Sequence, residues 1–259
     1  MTIIQAIFLG LIEGITEFLP VSSTAHLILT SRALGLPQNE FISFFEVFIQ
    51  SGAILAVVLL YFRFILNNKS LIVNLAISFV PTAIVGLLLH DIIKTVFFNS
   101  TYLIAVSLLS VGLIFIVLEY FIKEGKLNLR KKLQDMTYSD AFLIGSIQST
   151  AVVPGVSRAG AVIVAMILLR YKRYDAALYS FLLAVPTILA ASGFDLLKTD
   201  LSLLANPDNI IILTLGFVIS FVSAIVVVKW LIRYLQKNSL NLFGVYRIIL
   251  AIILITLSL

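Results

Sequence analysis

Six long apolar stretches limit the possible folds of this chain more than any other feature of its sequence. The hydrocarbon core of a bilayer is about 30 Å thick, so a helix needs about 20 residues to cross it. Stretches of that size lie near residues 44–62, 71–89, 101–122, 175–197, 209–228 and 242–258. Hydrophobic residues make up 61% of the 259 residues and charged residues 12%, which is more apolar surface than a water-soluble core of this size can hide. We therefore expect an all-α, multi-pass membrane protein with six transmembrane helices.

Two further apolar regions, 3–35 and 140–170, are each interrupted in the middle. The interruptions are Pro20-Val21-Ser22-Ser23 and Pro154-Gly155-Val156-Ser157. Each half is too short to cross a membrane, and irregular backbone at membrane depth is tolerated only inside protein or beside a wet cavity. The pattern therefore predicts two re-entrant helical hairpins.

The two halves of the chain resemble each other when one is shifted by 134 to 135 residues. The matching pairs include Gly10 with Gly145, Pro20 with Pro154, and Ser23 with Ser157. We expect a single membrane domain over 1–259, with one repeat over about 1–122, a linker over 123–139 and a second repeat over about 140–259.

The distribution of Lys and Arg orients the predicted helices. If residue 44 lies outside, the segments that face the cytoplasm are 63–70, 123–139, 170–173 and 229–241. These segments contain 13 basic residues, whereas the outer segments contain three, Arg32, Lys94 and Lys198. This bias is the orientation signal of membrane proteins. The first hairpin then enters from outside and the second from inside, so the halves form inverted repeats whose breaks meet near the membrane midplane. We expect the site at the breaks to open to the outer face.

Charge and cysteine content exclude several classes of protein. A net charge of +5 and a pI near 9.4 would suggest nucleic acid in a soluble protein, but here the basic residues lie between apolar segments. We therefore expect membrane lipids, and no nucleic acid, as partners. The chain has no cysteine, so disulfides and thiolate chemistry are excluded. The N-terminus lacks a basic region and a cleavage site, and we expect no signal peptide.

Glu13 and Glu17 lie four residues apart in an apolar segment and so share one face of a helix. Two carboxylates there repel each other unless a proton, a metal ion or an arginine neutralises them. The alternative is a pair of helix-end glutamates that reach water or a neighbouring helix.

The residues after Pro20 are suited to anion binding. A serine can cap the returning helix, and the first N–H groups of that helix then point into the break. Ser23 and His26 are three residues apart, which could place hydroxyl and imidazole around one small ligand. The alternative is simple helix capping with a hydrogen-bonded core histidine.

The second break adds a guanidinium, Arg158, directly after Ser157. An arginine at this depth needs an anion, which could be Glu13 or Glu17, or a phosphate held bidentately. Gly155 indicates close approach of the backbone to another group. Glu46 could be a further metal or water ligand or an interfacial residue. Three other polar residues, Arg247, His90 and Asp91, fit better as helix-pairing or interfacial groups.

These residues together resemble a known family. Segment 13–27 reads EGITEFLPVSSTAHL and segment 154–158 reads PGVSR, and both resemble signature motifs of bacterial undecaprenyl-diphosphate phosphatases, also called bacitracin-resistance proteins. The similarity runs through nearly the whole chain, including segments 45–50, 135–138, 180–186 and 246–247. One departure is that Ala159 and Val162 stand where the family motif usually has Ser and Thr.

The resemblance implies the same fold and a hydrolase that converts a polyprenyl diphosphate to the monophosphate in the bacterial cytoplasmic membrane. It implies active-site residues Glu13, Glu17, Ser23, His26, Ser157 and Arg158. Glu13 and Glu17 would bind a divalent cation, expected to be Mg²⁺, Arg158 would bind the departing phosphoryl group, and His26 would be the general acid or base. Further substrate contacts would come from Ser22, Thr24, Gly155 and Glu46.

Several alternatives stay open at this stage. The attacking group is Ser23, another hydroxyl or a water molecule. Inverted repeats with broken helices also occur in secondary transporters, so the chain could move a lipid phosphate instead of hydrolysing it. The loss of two hydroxyls at Ala159 and Val162 could mark an inactive relative of the enzymes. A homodimer is compatible with the sequence.

Overall fold

The computed structural model describes residues 1–37, 39–89, 92, 97, 100–198 and 201–258. Every long element in this part of the chain is an α-helix: α1 Ile3–Thr16, α2 Ser23–Ala33, α3 Glu40–Leu66, α4 Lys69–Leu88, α5 Thr101–Lys123, α6 Tyr138–Gln148, α7 Arg158–Leu168, α8 Arg173–Lys198, α9 Pro207–Lys237 and α10 Asn241–Ser258. Short 3₁₀ helices occupy Leu133–Asp135, Ser149–Val152 and Leu201–Ala205. The predicted all-α fold is confirmed.

Five of the six predicted transmembrane helices are confirmed as long and apolar enough to cross a membrane: α3, α4, α5, α8 and α9. Helix α10 has 18 residues and belongs with the shorter apolar helices, as do α1 and α7. The outer surfaces expose large apolar side chains such as Leu59, Val226 and Trp230, as expected where helices contact lipid. His90, Asp91 and Lys94 lie outside the described residues.

Both predicted interruptions are present as breaks between helices. Helix α1 ends at Thr16 and α2 begins at Ser23, whereas α6 passes into a 3₁₀ turn before α7 begins at Arg158. The residue before each second helix is a serine with positive φ, 74° at Ser22 and 72° at Ser157. The structure therefore matches Ser22, not Ser23, to Ser157. Apolar neighbours fit a shift of 134 or 135 almost equally well, so the sequence comparison could not fix this pairing.

The two halves exchange their first helices. Helix α1 packs along α9 and α6 packs along α4, while α3 contacts α8 and α5 contacts α10. A glycine makes each exchange possible: a Cβ on Gly10 would lie 2.6 Å from the Gly216 carbonyl oxygen, and one on Gly145 would lie 2.1 Å from the Ser78 carbonyl oxygen. Each half therefore completes the helix packing of the other.

We expect Gly145→Ala to lower the free energy of unfolding by about 1–3 kcal/mol, the usual cost of forcing an extra methyl group into a packed contact. The new Cβ would meet the backbone of α4, which cannot rotate away. Thermal unfolding in detergent measures the effect. Gly86→Ala is the matched control, because a Cβ there meets no atom within 4 Å. Equal midpoints for the two variants would contradict the close contact.

Candidate active site

An ion pair joins the two breaks. Arg158 Nη2 lies 2.8 Å from Glu17 Oε1, which connects the C-terminal cap of α1 to the first residue of α7. The side chains are only 11% and 6% exposed. Of the two glutamates that the sequence offered for Arg158, Glu17 forms the ion pair, and binding of a phosphate by Arg158 stays a prediction.

Glu17 also accepts a hydrogen bond from a hydroxyl group. The Ser23 hydroxyl donates to the second carboxylate oxygen, Oε2, so a single carboxylate contacts both a potential nucleophile and a guanidinium. Arg158 Nη1 donates to the Ser180 carbonyl at 2.8 Å, and Arg158 Nε is buried without a hydrogen-bond partner in the described structure. The guanidinium is thus held in place with its Nε–H still available for a ligand.

Glu13 lies one turn before Glu17 and is completely buried. Neither of its carboxylate oxygens has a hydrogen-bond partner among the described residues. A buried, unpartnered carboxylate is costly unless it is protonated or bound to a cation. The Glu13 carboxyl therefore carries either a proton or a cation beside Glu17.

The donor set fits Mg²⁺, which prefers oxygen ligands and is commonly held by one or two carboxylates together with substrate phosphates. Glu13 and Glu17 supply such carboxylates. No cluster of three or more acidic, His or Cys side chains suited to a metal occurs in the described ranges. The protein therefore offers a partial set of ligands that phosphate oxygens and water would complete.

His26 contacts a tyrosine instead of Ser23. Its Nδ1 lies 2.7 Å from the Ser22 carbonyl oxygen and its Nε2 lies 2.6 Å from the Tyr246 hydroxyl of α10. A carbonyl can only accept, so Nδ1 carries the proton in the neutral ring and Nε2 accepts from Tyr246. Ser23 and His26 share no hydrogen bond in the described structure, and their meeting around one ligand stays a prediction. Sequence reasoning assigned no role to Tyr246.

Arg247 connects the two breaks through their carbonyl groups. It is fully buried and donates to the Pro20 carbonyl at 3.1 Å, to the Val156 carbonyl at 3.1 Å and to the Gly155 carbonyl. The sequence marked it as a helix-pairing arginine, and the structure makes it a bridge between the two breaks. Its charge inside an apolar span was the only available signal.

The remaining predicted site residues lie around this centre with different contacts. The Ser157 hydroxyl accepts from the Gly160 N–H at 3.1 Å and so caps α7. Glu46 Oε1 accepts from the Ser31 hydroxyl at 2.5 Å. Gly155 has φ of 95° and packs closely against α5, and Thr24 is half-buried in the first turn of α2.

The two departures from the family motif lie inside the protein. Ala159 and Val162 are 1% and 0% exposed, in the apolar core around α7. Hydroxyl-bearing residues at these positions would each need a buried hydrogen-bond partner. The alanine and valine fill these positions without that requirement.

The fold and this centre define a class: a multi-pass helical membrane protein with a buried site of carboxylates, a hydroxyl and a guanidinium. The family model described as "Bacitracin resistance protein BacA" matches residues 6–253, and the chain belongs to that family.

Relatives aligned over almost their whole length carry one name, Undecaprenyl-diphosphatase. One from Aquifex aeolicus is 42% identical, covering 98% of this chain and 97% of the relative. One from a Sulfurihydrogenibium species is 44% identical and one from Persephonella marina is 46% identical, each covering 98% of both chains. These names describe hydrolases and give no support to the transporter alternative.

Proposed function

We propose that this protein hydrolyses undecaprenyl diphosphate to undecaprenyl phosphate and inorganic phosphate. The observation that carries the proposal is the contact of one buried carboxylate, Glu17, with both the Ser23 hydroxyl and the Arg158 guanidinium. Family membership and the names of the relatives support the same reaction. The reaction recycles the lipid carrier of peptidoglycan synthesis and confers resistance to bacitracin.

In the proposed reaction, Ser23 Oγ attacks the terminal phosphorus and passes its proton to Glu17. The bond between that phosphorus and the bridging oxygen breaks, and undecaprenyl phosphate leaves with the bridging oxygen. Water then attacks the phosphoserine, which releases phosphate and restores the hydroxyl. Phosphoryl transfer depends mainly on positioning and neutralisation of charge, and Arg158 supplies a positive charge within the site.

Mg²⁺ would neutralise charge on the diphosphate oxygens when bound. Glu13 and Glu17 are the residues that would hold it. The unpartnered oxygens of Glu13 favour this assignment over a purely structural role.

His26 and Tyr246 form the proposed proton-transfer pair of the site. His26 exchanges a proton at Nε2 through the Tyr246 hydroxyl, whose side chain is 43% exposed. The Ser22 carbonyl holds the ring by its Nδ1–H. Tyr246 thereby links a part-buried imidazole to the more exposed side of the site.

We expect Tyr246→Phe to lower kcat by about tenfold, equivalent to one hydrogen bond, with little change in KM. The variant keeps the ring beside His26 and removes only the hydroxyl. The pH profile of kcat should also shift, because the acceptor nitrogen of His26 loses its donor. Tyr138→Phe, at an exposed position, serves as the control. An unchanged kcat and pH profile would exclude Tyr246 from proton transfer.

In the membrane, we propose that α10 completes a set of six spans and that 3–35 and 140–170 are re-entrant hairpins in two inverted repeats. The bias of basic residues supports a cytoplasmic position for the linker 123–139 in a bacterium. The reciprocal packing of α1 on α9 and α6 on α4 supports the repeats. The site would then open to the outer face. We also predict a homodimer, which a measurement of the protein's mass in detergent tests.

The function is tested by phosphate release from undecaprenyl diphosphate by the purified protein, with and without Mg²⁺. We expect release that depends on the metal and is lost in Arg158→Ala. If native protein shown by thermal unfolding to be folded released no phosphate, the hydrolase proposal would be refuted. Release by Arg158→Ala at the native rate would instead refute the assigned site.

A further inference from the structure

The linker between the two halves is attached to the turn between α7 and α8. Arg130 and Lys131 donate their N–H groups to the Arg170 carbonyl at 2.9 and 3.0 Å, and the Lys172 N–H donates to the Lys131 carbonyl at 3.0 Å. Lys131 and Tyr171 form a parallel bridge. These backbone bonds fix the positions of neighbouring lysines on the two segments.

Successive side chains along extended backbone point to opposite sides. The side chains of the bridged segments therefore fall into two groups, one on each side of the bridge. Lys131 and Tyr171 both contact Asp140, at 3.0 and 2.6 Å. The next residues, Lys132 and Lys172, line a cavity of about 550 Å³. The docked linker therefore presents two lysines to one cavity.

The other charged groups of this cavity are already engaged. Arg173 binds the carboxylate of Glu119 through two nitrogens, with Nε at 2.7 Å from Oε1. Asp175 Oδ1 accepts the Leu133 N–H at 3.0 Å. Lys132 and Lys172 have no ion-pair partner in the described structure. Against the single carboxylate of Asp175, these two ammonium groups leave the cavity lining with a net positive charge.

The wall beside the lysines is apolar. Leu129, Tyr174 and Leu235 line the same cavity, which lies where α8 begins and α9 approaches its end. A ligand that satisfies both features has a negatively charged head and a hydrocarbon portion. Basic pockets at the cytoplasmic ends of membrane helices have this composition when they bind anionic lipid headgroups.

We propose that this cavity binds the phosphate group of a membrane lipid through Lys132 and Lys172. The ligand chemistry is a lipid phosphate, supplied either by an anionic phospholipid of the surrounding membrane or by a polyprenyl monophosphate. The phosphate contacts the two ammonium groups, and the adjoining chain contacts the apolar wall. This site is separate from the Glu17 and Arg158 centre and does not depend on the proposed hydrolysis.

The test compares lipid retention by delipidated protein in neutral detergent, measured by native mass spectrometry. The probes are phosphatidylglycerol, undecaprenyl phosphate and, as the zwitterionic reference, phosphatidylcholine. We expect Lys132→Gln/Lys172→Gln to weaken retention of an anionic probe by about tenfold, from the loss of two surface-near lysine contacts. Lys126→Gln/Lys229→Gln removes the same charge from positions that do not line the cavity, and should retain lipid as the native protein does.

The outcomes separate the sources and the alternatives. If only the Lys132→Gln/Lys172→Gln protein loses retention of both anionic probes, the cavity is a general lipid-phosphate site. If that protein loses retention of undecaprenyl phosphate alone, the ligand is the product of the proposed reaction. Equal losses in the two double variants, or no loss in either, would overturn the proposal. Unfolding midpoints of both double variants, measured in parallel, establish that the compared proteins are folded. Lipid retention can be measured whether or not the protein releases phosphate, so this test is independent of the proposed function.

Discussion

Replacing Glu17 with Gln is expected to lower the rate of phosphate release by about 10³-fold, within the range for loss of a general acid or base. The amide cannot take the proton of Ser23, and it removes the negative charge paired with Arg158. The shape of the side chain is nearly unchanged, so the fold should persist. Steady-state phosphate release with undecaprenyl diphosphate at saturating Mg²⁺ measures the loss.

Glu124→Gln removes one negative charge at an exposed position at the end of α5 and should leave the rate unchanged. Binding of undecaprenyl phosphate to Glu17→Gln separates chemistry from recognition, because Arg158 and the helix ends remain. A Glu17→Gln protein that releases phosphate within twofold of the native rate would show that Glu17 neither accepts the proton nor binds the metal.

Arg247→Met is expected to destabilise the protein by about 3 kcal/mol or more, since each buried carbonyl left without a donor costs about 1–3 kcal/mol. The carbonyls of Pro20, Gly155 and Val156 would lose their donor together. For a chain of this size the unfolding midpoint should fall by roughly 10 °C. Phosphate release should fall as well, because the two breaks would no longer be held at one separation.

Arg233→Met is the matched control, since Arg233 lies exposed on α9 and should change the midpoint by no more than a degree or two. Arg247→Lys distinguishes charge from geometry. A lysine restores the positive charge but not the planar set of donors that reaches both breaks, so we expect it to remain destabilised. Native stability in Arg247→Met would mean that the breaks are held by helix packing alone.

The breaks and one central contact could be predicted from sequence because their residue types have few alternatives in an apolar chain. Proline followed within three residues by serine marks both breaks, whereas Pro81 and Pro186, which no serine follows so closely, lie inside α4 and α8. Arg158 needed an anion, and the sequence offered Glu13, Glu17 or a phosphate as that anion. The ion pair with Glu17 could be identified only in the structure.

The other contacts of the site depend on long-range packing that sequence spacing does not encode. Tyr246 meets His26 across 220 residues, and a tyrosine near the end of an apolar helix is ordinarily an interfacial residue. Among the described residues Arg247 has no carboxylate partner and binds carbonyls instead, which no residue pattern reveals. The equivalence of Ser22 and Ser157 became visible only through their shared backbone conformation.

The exchange of first helices between the halves has a consequence for synthesis of the protein. Helix α1 reaches the membrane first, yet its packing partner α9 ends at Lys237. At about 5–20 residues per second, translation leaves α1 without that partner for roughly 10–40 s. Until residue 158 has been made, the carboxylates of Glu13 and Glu17 have neither Arg158 nor α9 beside them, and after that point they still lack α9. We therefore expect the nascent chain to keep α1 and α2 at the membrane surface or against the insertion machinery until α9 has been made.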